Sequence, residues 1–337
     1  MRSLKVITYN IFIFLILILL IELFFGYWFK KENFGIYMRK ERKINWQTST
    51  IFNQKKYDFF YKRNYWGFRG EEFDPKDVKI IFEGGSTGNQ RFTPEELTIV
   101  GQLNKKLNLK NSKFKIYNAS TDGKSLNGYI NDFKFWFPKI TDLNPDYVIF
   151  YIGINDIYVD DRYYLDLKIS KKKIDQIKDY IKNNSFFVDK FKIVKNKYFP
   201  KNTLAYDFNN EKLYNDFIYT NFKQALTVHK NLDDKDLLSI KKFNLKLSEL
   251  KKIIKEKKFQ PIFITQLKFD GLKDKRLFII NNELKKFALD NNFYLIPIDE
   301  FLIMNKNDFY DPVHTTPKGS KKIANAIFED FYKYLKR

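Results

Sequence analysis

Apolar residues follow three patterns along the chain. From Ile11 to Phe29 they run with only Glu22 and Gly26 interrupting. A helix needs about 20 such residues to cross a bilayer, so this run predicts an N-terminal anchor. Short apolar runs then recur at Val78 to Phe82, Phe114 to Ala119, Tyr147 to Ile152, Pro261 to Thr265 and Phe293 to Ile296. Runs this short, rich in β-branched and aromatic residues, predict strands buried on both faces. Between them the apolar positions fall three and four apart: Leu97, Val100, Leu103 and Leu107; Leu126, Ile130, Phe133 and Phe137; Leu237, Ile240, Leu247, Leu250 and Ile254; Leu277, Ile280, Leu284 and Phe287; and Ile323, Ile327, Phe328 and Phe331. That is the spacing of helices with one buried face. The order β-α-β-α-β-(insert)-α-β-α-β-α predicts an α/β fold with a doubly wound parallel sheet.

Punctuation refines the map. Thr93-Pro94-Glu95-Glu96 predicts a helix N-cap with proline at the first helical position, and Thr316-Pro317 predicts another. Residues 1–31 read as an uncleaved signal anchor: Arg2 and Lys5 precede the apolar run, Tyr27 and Trp28 suit an interfacial belt, Lys30-Lys31 stop it, and no small-x-small cleavage site follows. Residues 32–77 read as a tether and a lead-in segment, Asn64-Tyr65-Trp66-Gly67-Phe68-Arg69-Gly70, whose glycines and arginine suggest an ordered turn packed on the domain, with a solvated loop as the somewhat safer alternative. Residues 78–337 form the main domain. Within it 157–232 is an insertion with Lys171-Lys172-Lys173, Phe186-Phe187 and Tyr198-Phe199-Pro200, expected either as a lid over the strand ends or as a packed helical decoration. The anchor predicts a single-pass membrane protein with the main domain on the extracytoplasmic side. Glu22 inside hydrocarbon and the basic residues after the run argue the other way, although long domains translocate largely regardless of flanking charge.

With 44 % hydrophobic residues in 337, the chain can bury a proper core. The absence of cysteine excludes disulfides, thiolate metal sites and a cysteine nucleophile, and two histidines leave little room for a metal cluster; no cofactor is expected. A net charge of +21 raises nucleic acid as a partner. The residue choice argues against it: of 61 basic residues nine are Arg and 52 are Lys, spread along the chain with no basic patch.

Candidate chemistry lies at the strand ends. The first strand runs into Gly84-Gly85-Ser86-Thr87-Gly88, a sharp turn that puts Ser86 at the sheet's C-terminal edge, where ligands of open α/β sheets bind. The second strand ends in Ser120-Thr121-Asp122-Gly123 and the third in Gly153-Ile154-Asn155-Asp156. Near the C-terminus, Asp311-Pro312-Val313-His314 lets a carboxylate hold one imidazole nitrogen while the other faces outward. Each signal has an ordinary alternative: a helix cap for Ser86, a turn former for Asp311, a surface histidine for His314. Together they supply what acyl transfer needs, a nucleophile, a base with its orienter, and donors for an oxyanion. Gly84 to Gly88 also satisfies G-x-S-x-G, but the elbow of α/β-hydrolases follows several strands that are missing here. His229 has no partner pattern and reads as a surface histidine.

In these four blocks the sequence resembles the SGNH (GDSL-type) hydrolase family, from about residue 60 to the C-terminus. Gly84 to Thr87 matches its nucleophile block, Asn118 to Gly123 its glycine block, Gly153 to Asp156 its G-x-N-D block and Asp311 to His314 its D-x-x-H block. The resemblance implies a three-layer α/β/α fold with Ser86 as nucleophile, His314 as base and Asp311 as its orienter. It also implies an oxyanion hole from the Ser86 and Gly123 N–H groups and the Asn155 side chain. The segment around Gly67 and Arg69 resembles one found in membrane-anchored branches. Gly85 stands where the family usually has aspartate, and Glu83 puts a charge where small or apolar residues are common. The expected function is a serine esterase acting on O-acyl, such as acetyl, groups of a surface glycan or lipid. The alternatives are an O-acyltransferase onto a glycan and a non-catalytic carbohydrate-binding relative.

Overall fold

A computed structural model describes residues 2–26, 28–29, 43–48, 57–158, 173–188, 190–191, 194 and 218–336. Tyr27, Lys30, Lys31, Lys171, Lys172, Tyr198, Phe199, Pro200 and much of the 157–232 insertion lie outside them. The chain divides into two compact units, residues 1–38 with 167–202, and residues 39–166 with 203–337.

In the first unit, α1 (Arg2–Phe25) is the apolar run in helical form. Its Leu4–Phe25 stretch has a mean hydropathy of 2.6 and buries nothing, so it is long and apolar enough to cross a membrane. The other described element here is α5 (Lys173–Asn184).

The second unit begins with an antiparallel pair within the expected tether, β1 (Lys43–Thr48) and β2 (Tyr57–Lys62). The central sheet contains β3 (Ile80–Gly84), β4 (Ile116–Asn118), β5 (Tyr147–Tyr151), β6 (Gln260–Ile264) and β7 (Tyr294–Ile296), all parallel, in the order β4-β3-β5-β6-β7. Residues 80–84 and 148–151 are all buried, as continuous apolar strands covered on both faces should be. The covering helices are α2 (Ser86–Asn89), α3 (Ile99–Leu109), α4 (Leu126–Asn131), α6 (Phe222–Val228), α7 (Asp234–Lys257), α8 (Lys275–Asp290), α9 (Ile298–Phe301) and α10 (Pro317–Leu335). This is the doubly wound parallel sheet the pattern predicts. Thr316 caps α10 as expected, its side chain accepting from the Gly319 N–H.

Four details differ from the sequence reading. Thr93 is not a helix cap: its carbonyl receives the Arg69 guanidinium at 2.6 Å, and α3 starts later, where Thr98 Oγ1 accepts from the Gly101 N–H. Leu237 faces solvent in the first turn of α7, and Phe243 takes up the buried stripe with Leu247, Leu250 and Ile254. The lead-in segment is no solvated loop. Asn64, Phe68 and Arg69 are buried, and the Arg69 N–H donates to the Asn118 carbonyl at 2.8 Å, covering the edge of β4. His229 is half-buried, with Nε2 2.9 Å from the Leu272 carbonyl and its ring against Phe278.

Candidate active site

Ser86 opens α2 directly after β3, the strand from which the chain winds out in both directions to β4 and β5. A crevice forms at such a switch point. As the first helical residue, Ser86 also presents a backbone N–H that the helix itself does not use.

Across this crevice, His314 Nε2 stands 2.8 Å from Ser86 Oγ, and His314 Nδ1 stands 2.6 Å from Asp311 Oδ2. Asp311 is held by its other oxygen, which accepts from the N–H groups of Val313 at 2.9 Å and His314 at 2.7 Å. Oδ2 thus remains for the ring, and Nδ1–H donates to it while Nε2 accepts from the serine hydroxyl. The Tyr310 ring stacks on the imidazole at 5.6 Å. The Asp311 and His314 side chains keep about a quarter of their surface exposed, 27 % and 24 %, so the site opens to solvent.

Asn155 lies in the 3-10 turn after β5 (Ile154–Tyr158) and its Nδ2 donates to the Lys124 carbonyl at 2.8 Å. A primary amide carries two hydrogens, so this bond orients the group and leaves one for a ligand. Gly85 explains why glycine precedes the serine. A Cβ there would collide with Asn155 Nδ2 and stand 2.8 Å from the Lys124 carbonyl. Gly123 adopts φ +76° in the turn after β4, a conformation costly for other residues.

That turn is clamped from below by side chains the sequence reading did not assign. Both terminal nitrogens of Arg63 donate to the Ser120 carbonyl at 3.0 Å, and one reaches Thr121 Oγ1 at 3.1 Å. Asn118 accepts from the Ser120 N–H and donates to the Gly88 carbonyl, tying the glycine turn to α2. Arg69 donates to the Asn89, Gln90 and Thr93 carbonyls and pairs with Glu95, so one guanidinium caps the end of α2. One signal for these residues was present: Arg63 and Arg69 fall only six positions apart in a chain that otherwise prefers lysine. Arginine's planar fork is favoured where several acceptors must be held at once.

Gln90 links the serine turn to the histidine loop. It is buried in the left-handed conformation at φ 44°, its Nε2 donates to Thr315 Oγ1 at 2.9 Å and to Ser320 Oγ, and its Oε1 accepts from the Ile99 N–H at 2.6 Å. Gln266 does the same for the asparagine turn, accepting from the Ile154 N–H at 2.7 Å and donating to the Tyr151 carbonyl at 2.8 Å. Neither glutamine carries a pattern that sequence alone would flag.

Glu83, the unusual charge before the nucleophile block, is fully buried and pairs with Lys124 Nζ at 3.0 Å, and the same ammonium pairs with buried Asp132. Desolvation lifts the Glu83 carboxyl well above its ordinary range despite the Lys124 charge, and Asp132 adds to the rise. Desolvation pulls Lys124 down, but the two carboxyls outweigh it and leave the ammonium raised. Asp156 accepts from the Leu126 N–H at 2.9 Å, and burial pushes its carboxyl up to about 6. Among the described residues no group of three or more His, Asp or Glu stands close enough to hold a metal ion.

The arrangement contains a hydroxyl within proton-transfer reach of an oriented imidazole, beside an amide donor fixed over the same turn. The family described as GDSL-like Lipase/Acylhydrolase matches residues 64–327. A search of curated proteins finds no match. Among solved structures, the chain is similar to LAE5, an alpha/beta hydrolase enzyme from the metagenome of Lake Arreo, Spain, at 14 % identity and TM-score 0.44, covering 75 % of this chain and 94 % of that one. It is similar to an acetyl xylan esterase, AlAXEase, at 15 % identity and TM-score 0.42, covering 74 % and 98 %. A member of the lipolytic protein G-D-S-L family from Veillonella parvula aligns at 16 % identity and TM-score 0.40, covering 76 % and 99 %. With a family match over residues 64–327, which contains all four blocks of the site from Gly84 to His314, the chain belongs to the GDSL-like lipase/acylhydrolase family and is an SGNH-type ester hydrolase.

Proposed function

We propose that Ser86, His314 and Asp311 are a catalytic triad that cleaves O-acyl, such as acetyl, esters of a surface glycan or lipid through an acyl-enzyme. The observation that carries the reading is the continuous chain from Asp311 Oδ2 through His314 to Ser86 Oγ, at 2.6 and 2.8 Å. Ser86 Oγ attacks the ester carbonyl carbon as its proton passes to His314 Nε2. The carbonyl oxygen takes the negative charge and is received by the N–H groups of Ser86 and Gly123 and by the Asn155 amide. Collapse breaks the bond to the leaving alcohol, which takes the proton from His314. Water then repeats the sequence on the acyl-enzyme, releasing the carboxylic acid and restoring Ser86.

The substrate class follows from placement. In this reading α1 anchors the enzyme, residues 78–337 form the catalytic domain outside the cytoplasm, and an open site suits an ester on a bulky glycan or headgroup. A sugar hydroxyl can attack the same acyl-enzyme, which makes O-acyltransfer onto a glycan the second reading.

The test is product partition in detergent-solubilised protein given p-nitrophenyl acetate with and without oligosaccharide acceptors. Free acetate in both reactions is the expected result, acetylated oligosaccharide would establish the transferase, and no turnover in either would contradict catalysis. Protease added to spheroplasts should digest the domain; protection until lysis would reverse the orientation.

A further inference from the structure

We infer that α5 and the turn after it form an arm that lies on the lipid bilayer, with its isoleucine stripe in the acyl-chain boundary and its lysines at anionic headgroups. The inference rests on the reading of α1 as a membrane anchor.

Ile174, Ile177 and Ile181 fall three and four apart, so they share one stripe of α5, and each is largely exposed at 61, 57 and 45 %. Beyond the break at Ser185, Phe187, Phe191 and Val194 are exposed as well. At 100° per residue, Lys173 and Lys178 fall on opposite sides of the isoleucine stripe, and both are exposed. An apolar stripe flanked by lysines is how an interfacial helix meets a membrane, with the stems in the boundary and the ammonium groups at the phosphates.

What fixes the occupant is the attachment of α5 and the turn after it to the end of α1. The Glu22 carboxylate accepts from Ser185 Oγ, from the N–H groups of Phe186 at 2.9 Å and Phe187 at 3.2 Å, and from Trp28 Nε1 at 3.1 Å. Phe25 packs on Phe186 at 5.6 Å and Trp28 on Tyr180 at 5.7 Å. These contacts give the in-membrane carboxylate four donors, which answers the objection that Glu22 raises against a spanning helix. They also set depth. The 22 residues of the apolar stretch rise ~33 Å, about one hydrocarbon core, so Glu22, Phe25 and Trp28 mark the level where the helix leaves it. The turn that ends α5 is held at that level, so a bilayer that receives α1 also meets the stripe.

The chain has no cysteine, so single labels report cleanly. Full-length Ile177→Cys and Phe14→Cys variants, each carrying an environment-sensitive fluorophore, are reconstituted in phosphatidylcholine and phosphatidylglycerol vesicles. The Ile177 label should lose most of its emission to a quencher on the lipid chains and little to aqueous iodide, as should the Phe14 label in mid-helix. Quenching by lipid at Phe14 with iodide access at Ile177 would overturn the arm while leaving the anchor, and would point to solvent or a protein on the stripe. Iodide access at both would overturn arm and anchor together. Lipid quenching at Ile177 alone would remove the spanning helix and with it the level at which the arm is held, and would overturn the inference.

Discussion

The amide nitrogen of Asn155 occupies the space that a side chain on Gly85 would fill. The residue before Ser86, the proposed nucleophile, and the Asn155 amide, the proposed side-chain donor to the oxyanion, therefore compete for one volume. Gly85→Ala should displace the amide and lower kcat by about 10²-fold, as Asn155→Ala should, with KM little changed in both, because the donor acts as charge develops. The double variant should be scarcely worse than either single variant. Steady-state kinetics on p-nitrophenyl acetate check this, and losses that multiply would show that Gly85 serves something other than Asn155.

Gln90 holds three partners from a left-handed backbone. Gln90→Ala should cost about 1–3 kcal/mol, because it strands the Ile99 N–H and its hydroxyl partners. Gln90→Asn tolerates the backbone conformation but lacks one methylene, so an equal loss in denaturant midpoint identifies reach as the cause. Full stability in the Asn variant would instead identify the backbone.

Lys124 is the shared partner of two buried carboxyls. Lys124→Met should destabilise the fold by about 3–5 kcal/mol at neutral pH, since it strands buried charge. The loss should shrink in acid, where Glu83 and Asp132 take up protons and become neutral. Because burial raises both carboxyls above their ordinary range, urea midpoints compared from acid to well above that range measure it; a loss independent of pH would mean that packing, not charge, is at stake.

Asp156 gives a pH dependence with a definite sign. Burial pushes its folded carboxyl up to about 6, above its ordinary value of 3.8, so the folded chain holds the proton more tightly than the unfolded one. The stabilising contribution is complete below the lower value and is lost as pH rises through the upper one. Relative to Asp156→Asn, wild type should lose on the order of 1 kcal/mol between about pH 5 and 8. A rising difference over that range would show that Asp156 is stabilised as the anion.

The strands and most helices were legible because their apolar spacing is that of buried strands and one-faced helices. The start of α3 was not: Thr93, Pro94 and Glu96 have the composition of a cap, but a long-range arginine claims the Thr93 carbonyl and Thr98 takes over. Ser86 was legible as a type at a strand end, and Asp311 and His314 as a D-x-x-H turn entering a helix, where local spacing carries the signal. The burial of Arg63, Arg69, Gln90 and Gln266 was not, since their partners lie far off in sequence; Gln90 meets Ser320 across 230 positions. Glu83 looked like an anomaly until Lys124 and Asp132 stood beside it.

The central claim is that Ser86 is the residue acylated, and labelling with a fluorophosphonate followed by intact-mass and peptide analysis tests it most directly. Wild type should gain one adduct on the peptide that contains Ser86, Ser86→Ala should gain none, and His314→Ala should label far more slowly. An equal adduct on Ser86→Ala would contradict the assignment.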